Sequence, residues 1–102
     1  MSSFIIEEKI TYSIIVEEEF LPVEGNAINS GDSDFDKFVE GRIEERLKKG
    51  DIWAWCVISV IASYGVHQAS DIAERMSFEN EKEFCESWYF EDMKAAARML
   101  LV

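Results

Sequence analysis

Ile52-Trp53-Ala54-Trp55-Cys56-Val57-Ile58-Ser59-Val60-Ile61-Ala62-Ser63-Tyr64 is thirteen residues without a charge, in a chain where 30% of residues are charged. β-Branched and aromatic side chains dominate it, the composition that fits a pleated surface. Its even positions, Ile52, Ala54, Cys56, Ile58, Val60 and Ala62, are apolar throughout. The odd positions, Trp53, Trp55, Val57 and Ile61, are interrupted by Ser59 and Ser63. Residues two apart share a face of a strand. The segment therefore reads as a central strand whose even face lies beneath helices.

Upstream, residues 9–19 (KITYSIIVEEE) alternate. Ile10, Tyr12, Ile14 and Val16 fall on one face, which predicts a strand with one buried side, starting as early as Phe4. Residues 21–33 (LPVEGNAINSGDS) hold the single proline with two glycines and two asparagines, and read as a loop long enough to carry a role. A helix is predicted from Asp34 to Lys49. Asp32 or Ser33 caps it and Asp34 and Asp36 suit its positive end. Phe35, Phe38, Val39, Ile43 and Leu47 make its apolar stripe, and Gly50 ends it. Gly41 sits mid-helix, where it suggests a close helix–sheet contact.

Downstream, GVHQAS reads as a turn or short loop and SDIAERM (70–76) as an edge strand. Ser77 then caps a short acidic helical turn. A final helix runs from Tyr89 to the end with Met93, Ala96, Ala97, Leu100 and Leu101 facing inward. The order β-α-β-β-α predicts one α+β domain over 1–102, a three-stranded, mostly antiparallel sheet with helices packed on one face.

Ten Lys and Arg face twenty-one Asp and Glu, a net charge of −11. Such a surface repels bare nucleic acid and anionic membranes and attracts basic partners. No apolar run approaches the roughly 20 residues of a membrane span, and the start lacks the basic and apolar regions of a signal peptide. A cytoplasmic protein with two free thiols, Cys56 and Cys85, is the expectation.

Catalytic signals are weak. His67 is the single histidine and falls in a predicted turn with no nucleophile setting. Asp32-Ser33-Asp34-Phe35-Asp36 opens like a calcium loop, but Lys37 stands where Gly is required and Ile43 where a bidentate Glu is required. Helix capping explains the same aspartates. No catalytic residue, metal or cofactor is expected, and the reading is a binding protein rather than an enzyme.

The acids are patterned. Glu17 and Glu19 lie two apart on a strand, about 6.8 Å along one face. Glu40 and Glu44 are one helical turn apart. Glu79, Glu83 and Glu86 line one face of a short helix. Carboxylates so spaced can imitate a nucleic-acid backbone and occupy a groove of Lys and Arg. Acidity as a solubility device is the alternative. Trp88, Tyr89 and Phe90 are consecutive and cannot all enter one core, so Trp88 or Tyr89 becomes an exposed anchor for a partner. Trp53 and Trp55 share a predicted strand face without a second layer to cover it, a candidate homodimer face.

The GDIWAWCVISV stretch, above all Gly50, Asp51, Trp53, Ala54 and Trp55, together with GNAINSGDSDFD and SWYFEDM, resembles a group of small acidic proteins encoded by phages, mobile elements and some bacteria. The resemblance covers about two thirds of the chain and implies a mobile-element setting. The group has no settled activity, but the resemblance implies a setting in which small acidic proteins often block host nucleases, in the manner of anti-restriction and anti-CRISPR inhibitors. It transfers no site residue. A homo-oligomeric structural or assembly protein of a phage or mobile element is the second expectation.

Overall fold

The apolar even positions of the central segment, Cys56, Ile58, Val60 and Ala62, are all fully buried. They belong to β2 (Cys56–Tyr64), the middle of a three-stranded antiparallel sheet ordered β1-β2-β3, with β1 spanning Thr11–Glu18 and β3 spanning His67–Met76. The computed structural model describes residues 9–101; the expected strand start near Phe4 and the chain's last residue lie outside the described residues. The helices are α1 (Ser33–Lys48), α2 (Glu81–Cys85) and α3 (Trp88–Met99). The β-α-β-β-α order and the antiparallel sheet match the sequence expectation, with α2 as the short acidic turn.

The sheet's inner face packs against α2 and α3. Cys56, Ile58, Val60, Phe78, Phe84 and Met93 form the central cluster, and Ile10, Ala62, Ala97 and Leu101 continue it toward the far end. A third cluster, Val23, Ile43, Ala54 and Trp55, is where α1 docks, with Val39 and Leu47 beside it. The opposite sheet face interleaves serine and isoleucine: Ile15, Ser59 and Ile72 lie in one row, and Ser13, Ile61 and Ser70 in the next. Ile15 and Ile72 stay exposed there.

Several boundaries differ from the sequence reading. β2 starts at Cys56, because residues Ile52–Ala54 form a 3-10 turn capped by Asp51, whose Oδ1 accepts from the Trp53 N–H at 3.2 Å. Ile52 is consequently exposed rather than in the strand's buried face. Trp53 and Trp55 do not form a dimer face on the sheet. Trp55 is only 3% exposed, its indole Nε1–H donating to the Leu21 carbonyl at 2.7 Å. Trp53 is half-buried against the rings of Phe78 and Phe84. The predicted loop after β2 is only Gly65-Val66. Gly65 has φ +59°, so this tight hairpin turn needs a left-handed first residue, and His67 already pairs with Tyr64.

α1 begins where expected. Asp32 Oδ1 accepts from the N–H groups of Asp34 and Phe35 at 3.1 and 3.2 Å. It ends at Gly50 (φ +84°) in a Schellman motif: Gly50 N–H donates to Leu47 O and Asp51 N–H to Arg46 O, both at 3.0 Å. The predicted apolar stripe divides. Val39, Ile43 and Leu47 pack inward, while Phe35 and Phe38 are exposed. Gly41 marks no helix–sheet contact, since a Cβ there would meet nothing within 4 Å. On α3 Met93 and Ala97 are buried; the helix stops at Met99 rather than running on, with Leu100 exposed as its C-cap and Leu101 buried beyond it.

Candidate functional site

Asn80, rather than the expected Ser77, caps α2 because the helix starts only at Glu81; its side-chain oxygen accepts from the Glu83 N–H at 2.9 Å, and Glu83 Oε1 reaches back to the Glu79 N–H at 3.0 Å. This reciprocal capping holds the short helix in place. Its consequence is a shallow, open hollow of about 470 Å³ lined by Glu79, Glu83 and Glu86 with Asn80, Lys82 and Ser87. Ser87 Oγ–H donates to the Phe84 carbonyl at 2.6 Å and starts α3 directly behind. Trp88, the first residue of α3, is 66% exposed and stacks on Tyr89 with ring centroids 4.0 Å apart. Tyr89 in turn meets Phe78 edge-on at 5.9 Å, and Phe78 meets Phe84 at 5.2 Å. The exposed indole thus stands on a ladder of rings rooted in the core. Of the residues singled out from sequence, Glu79, Glu83 and Glu86 come together in the hollow, and Trp88 and Tyr89 follow directly on its Ser87 rim.

The remaining acids are distributed differently. Glu17 is exposed at the end of β1 and Glu44 is exposed on α1. Glu19 is engaged within the fold: Oε1 accepts from the Arg75 N–H at 2.7 Å and Oε2 from the Leu21 N–H at 3.2 Å. Glu40 Oε2 accepts from the Gly25 N–H at 2.8 Å and fastens the loop before α1. These two carboxylates hold backbone and are only partly exposed.

Neither a family model, nor a curated protein, nor a solved structure matches the chain.

The geometry of the chain is poor for nucleophilic chemistry. Burial, reinforced by the carboxylates of Asp51 and Glu19, pushes the Cys56 thiol up to about 11, and its Sγ–H donates to the Met76 carbonyl at 3.5 Å. The Cys85 thiol is also raised, by burial first and then by the Glu81 carboxylate. A raised thiol is a weak nucleophile at neutral pH. The calcium-like aspartates are occupied locally: Asp32 caps α1, and Asp36 accepts from the Ser30 hydroxyl at 2.6 Å. Among the described residues no group of three or more His, Cys, Asp or Glu side chains is spaced to hold a metal ion. Among the described residues no helix is long and apolar enough to cross a membrane.

One functional arrangement had no sequence signal. Arg46 donates from Nε to Asp51 Oδ2 at 2.8 Å and from Nη2 to the carbonyls of Phe78 and Glu79 at 2.6 and 3.3 Å. It ties α1 to the backbone that opens the acidic hollow.

Proposed function

We propose that this chain is a binding protein that docks the Glu79/Glu83/Glu86 hollow, with Trp88 as apolar anchor, onto a basic, nucleic-acid-binding surface of another protein. The observation that carries this reading is the stack of exposed Trp88 on Tyr89 beside three carboxylates. An exposed tryptophan braced from beneath presents a large contact area with little rotamer freedom left to lose, the property of an interface anchor. The carboxylates around it supply charge complementarity, which sets encounter rate and orientation. Glu17 and Glu44 extend the acidic surface. Glu19 and Glu40 act mainly on the fold.

In this reading the chain occupies a Lys/Arg groove in place of nucleic acid, as an inhibitor or regulator in the cytoplasm of a cell carrying a phage or mobile element. The test is capture from host lysate at low salt, repeated with nucleic acid as competitor and with Trp88→Ala and Glu79→Lys/Glu86→Lys variants as bait. Nucleic-acid-binding proteins should be captured, competed off by nucleic acid, and lost with either variant. Capture that ignores salt, competitor and both variants overturns the reading.

The exposed isoleucines of the open sheet face favour a second reading, a homo-oligomeric assembly protein whose acidity serves solubility. Recovery in purified particles, with Ile72→Glu abolishing it, would establish that one.

A further inference from the structure

Gly41 lies in the middle of a sixteen-residue helix and faces open solvent, with nothing within 4 Å of where its Cβ would be. Glycine there costs the helix about 1 kcal/mol relative to alanine, and no contact among the described residues requires it. Phe38, one turn earlier, is 61% exposed, with the Arg42 guanidinium 5.9 Å from its ring centre. An open groove of about 530 Å³ runs over Phe38, Gly41 and Arg42. At the helical repeat, Asp34, Lys37, Phe38, Glu44, Glu45 and Lys48 all fall within about 60° of Gly41 around the axis. All of them are exposed, and Val39, Ile43 and Leu47 occupy the opposite, packed side.

Four of the charges on this stripe are arranged about Gly41 with inverted sign. Seven positions before it is Asp34, and seven after it is Lys48. Four before it is Lys37, and four after it is Glu45. Two such helices laid antiparallel and crossing at Gly41 bring Asp34 and Glu45 each opposite a base, and Glu44 opposite Phe38. Self-complementarity about a point is what an isologous two-fold contact demands. The location also fits the chain's overall charge. Although the whole chain carries −11, half of its ten basic residues lie between Lys37 and Lys49. Two acidic molecules therefore meet here with the least repulsion.

We infer that this chain pairs with a second copy of itself through α1, the two helices antiparallel about a two-fold axis at Gly41. Each Phe38 enters the groove beside the other copy's Gly41, and the Asp34–Lys48 and Lys37–Glu45 pairs set the register. A glycine at the crossing lets the backbones approach to the short end of the usual helix–helix range, about 8 Å. The interface is small, so the dimer is weak and concentration-dependent. It takes in Glu44 but leaves the acidic hollow and Trp88 out of the contact, and it stands independently of the partner proposed for them.

Sedimentation equilibrium on the full chain tests this. At about 0.05 M salt a monomer–dimer equilibrium should appear, weakening toward 1 M as the ion pairs are screened. Gly41→Leu places a side chain at the crossing and should weaken association at least about tenfold. The fold should keep its stability, because leucine is the better helix former and the space is empty. Lys37→Glu should weaken association similarly, and Lys37→Glu with Glu45→Lys should restore it. A monomer at every concentration overturns the inference, and so does a dimer indifferent to Gly41→Leu or a double swap that fails to restore pairing. A dimer abolished by Ile72→Glu alone would instead place the contact on the open sheet face.

Discussion

The carboxylate of Glu19 accepts a 2.7 Å hydrogen bond from the backbone N–H of Arg75, two residues 56 apart in sequence. Arg75 has φ +56°, in the left-handed region. It sits in a β-bulge, since Cys56 pairs with Met76 but Ile58 pairs with Ala73, leaving Glu74 and Arg75 opposite Val57. A bulge frees an N–H from the ladder, and Glu19 satisfies it from the end of β1. The residue costs about 1 kcal/mol or more in this conformation, and the carboxylate helps hold it there.

Glu19→Ala should therefore destabilise the fold by about 1–2 kcal/mol, the range for a hydrogen bond to a charged group that is partly exposed. Arg75→Gly should be neutral or stabilising by up to about 1 kcal/mol, because glycine adopts positive φ freely. Urea denaturation of both variants measures this. Equal destabilisation by the two would mean that the Arg75 side chain, rather than its backbone, matters.

Arg46→Lys is the second test. A lysine carries the charge but cannot bond Asp51 and two carbonyls in the fixed fork of a guanidinium. Stability should fall by about 1–2 kcal/mol, and hydrogen exchange should accelerate in α1 and around Phe78 while β2 stays protected. Uniform acceleration would show that the residue supports the whole core instead.

Hydrogen exchange also tests the architecture directly. The slowest amides should lie in β2, which is paired on both sides and buried at Cys56, Ile58, Val60 and Ala62. Residues 52–54 should exchange faster than 56–62, since they form a turn outside the ladder. Rapid exchange through β2 is incompatible with the sheet order described here.

The three tryptophans should separate by solvent access. Trp88 should be strongly quenched by acrylamide and Trp55 hardly at all, with Trp53 between them, following their exposure. Trp88→Phe should remove most of the quenchable emission without a stability loss beyond about 0.5 kcal/mol, as for a surface position. Trp55→Ala should cost about 3–5 kcal/mol, the range for emptying a large aromatic site in a core.

What the sequence made legible was periodic. Alternation in β1 and β2 and the caps at Asp32 and Gly50 are local signals, and each element they mark is present. What it concealed depends on tertiary placement. The apolar run through Trp53 and Trp55 fits a strand by composition, but the Asp51 side chain bonds the Trp53 N–H and turns the chain before the strand begins. Phe35 and Phe38 share helical spacing with Ile43, yet they lie outside the cluster where Val39, Ile43 and Leu47 pack. Glu19, Glu40 and Glu83 read as surface acids because their backbone partners depend on folding or on cap geometry rather than on spacing. Only the acids near Trp88 could be anticipated as a group, since they and the aromatics are neighbours in sequence.

Cys56 yields the last prediction, through linkage. In the folded chain its thiol is held near 11 by burial and by the carboxylates of Asp51 and Glu19, against an ordinary value of 9.0. The folded state thus retains a proton that the unfolded state releases more easily. The stabilisation linked to that proton is complete below pH 9 and is lost as the pH climbs from 9 through 11. Other groups titrate in the same window, so the comparison must be with Cys56→Ala, which removes the thiol and leaves a cavity. At neutral pH the variant should be less stable than the parent. Between pH 9 and 11 the gap in urea midpoint should narrow, because only the parent must bury a thiol that prefers to ionise. A gap that stays constant to pH 11 would mean that the thiol is not buried as described.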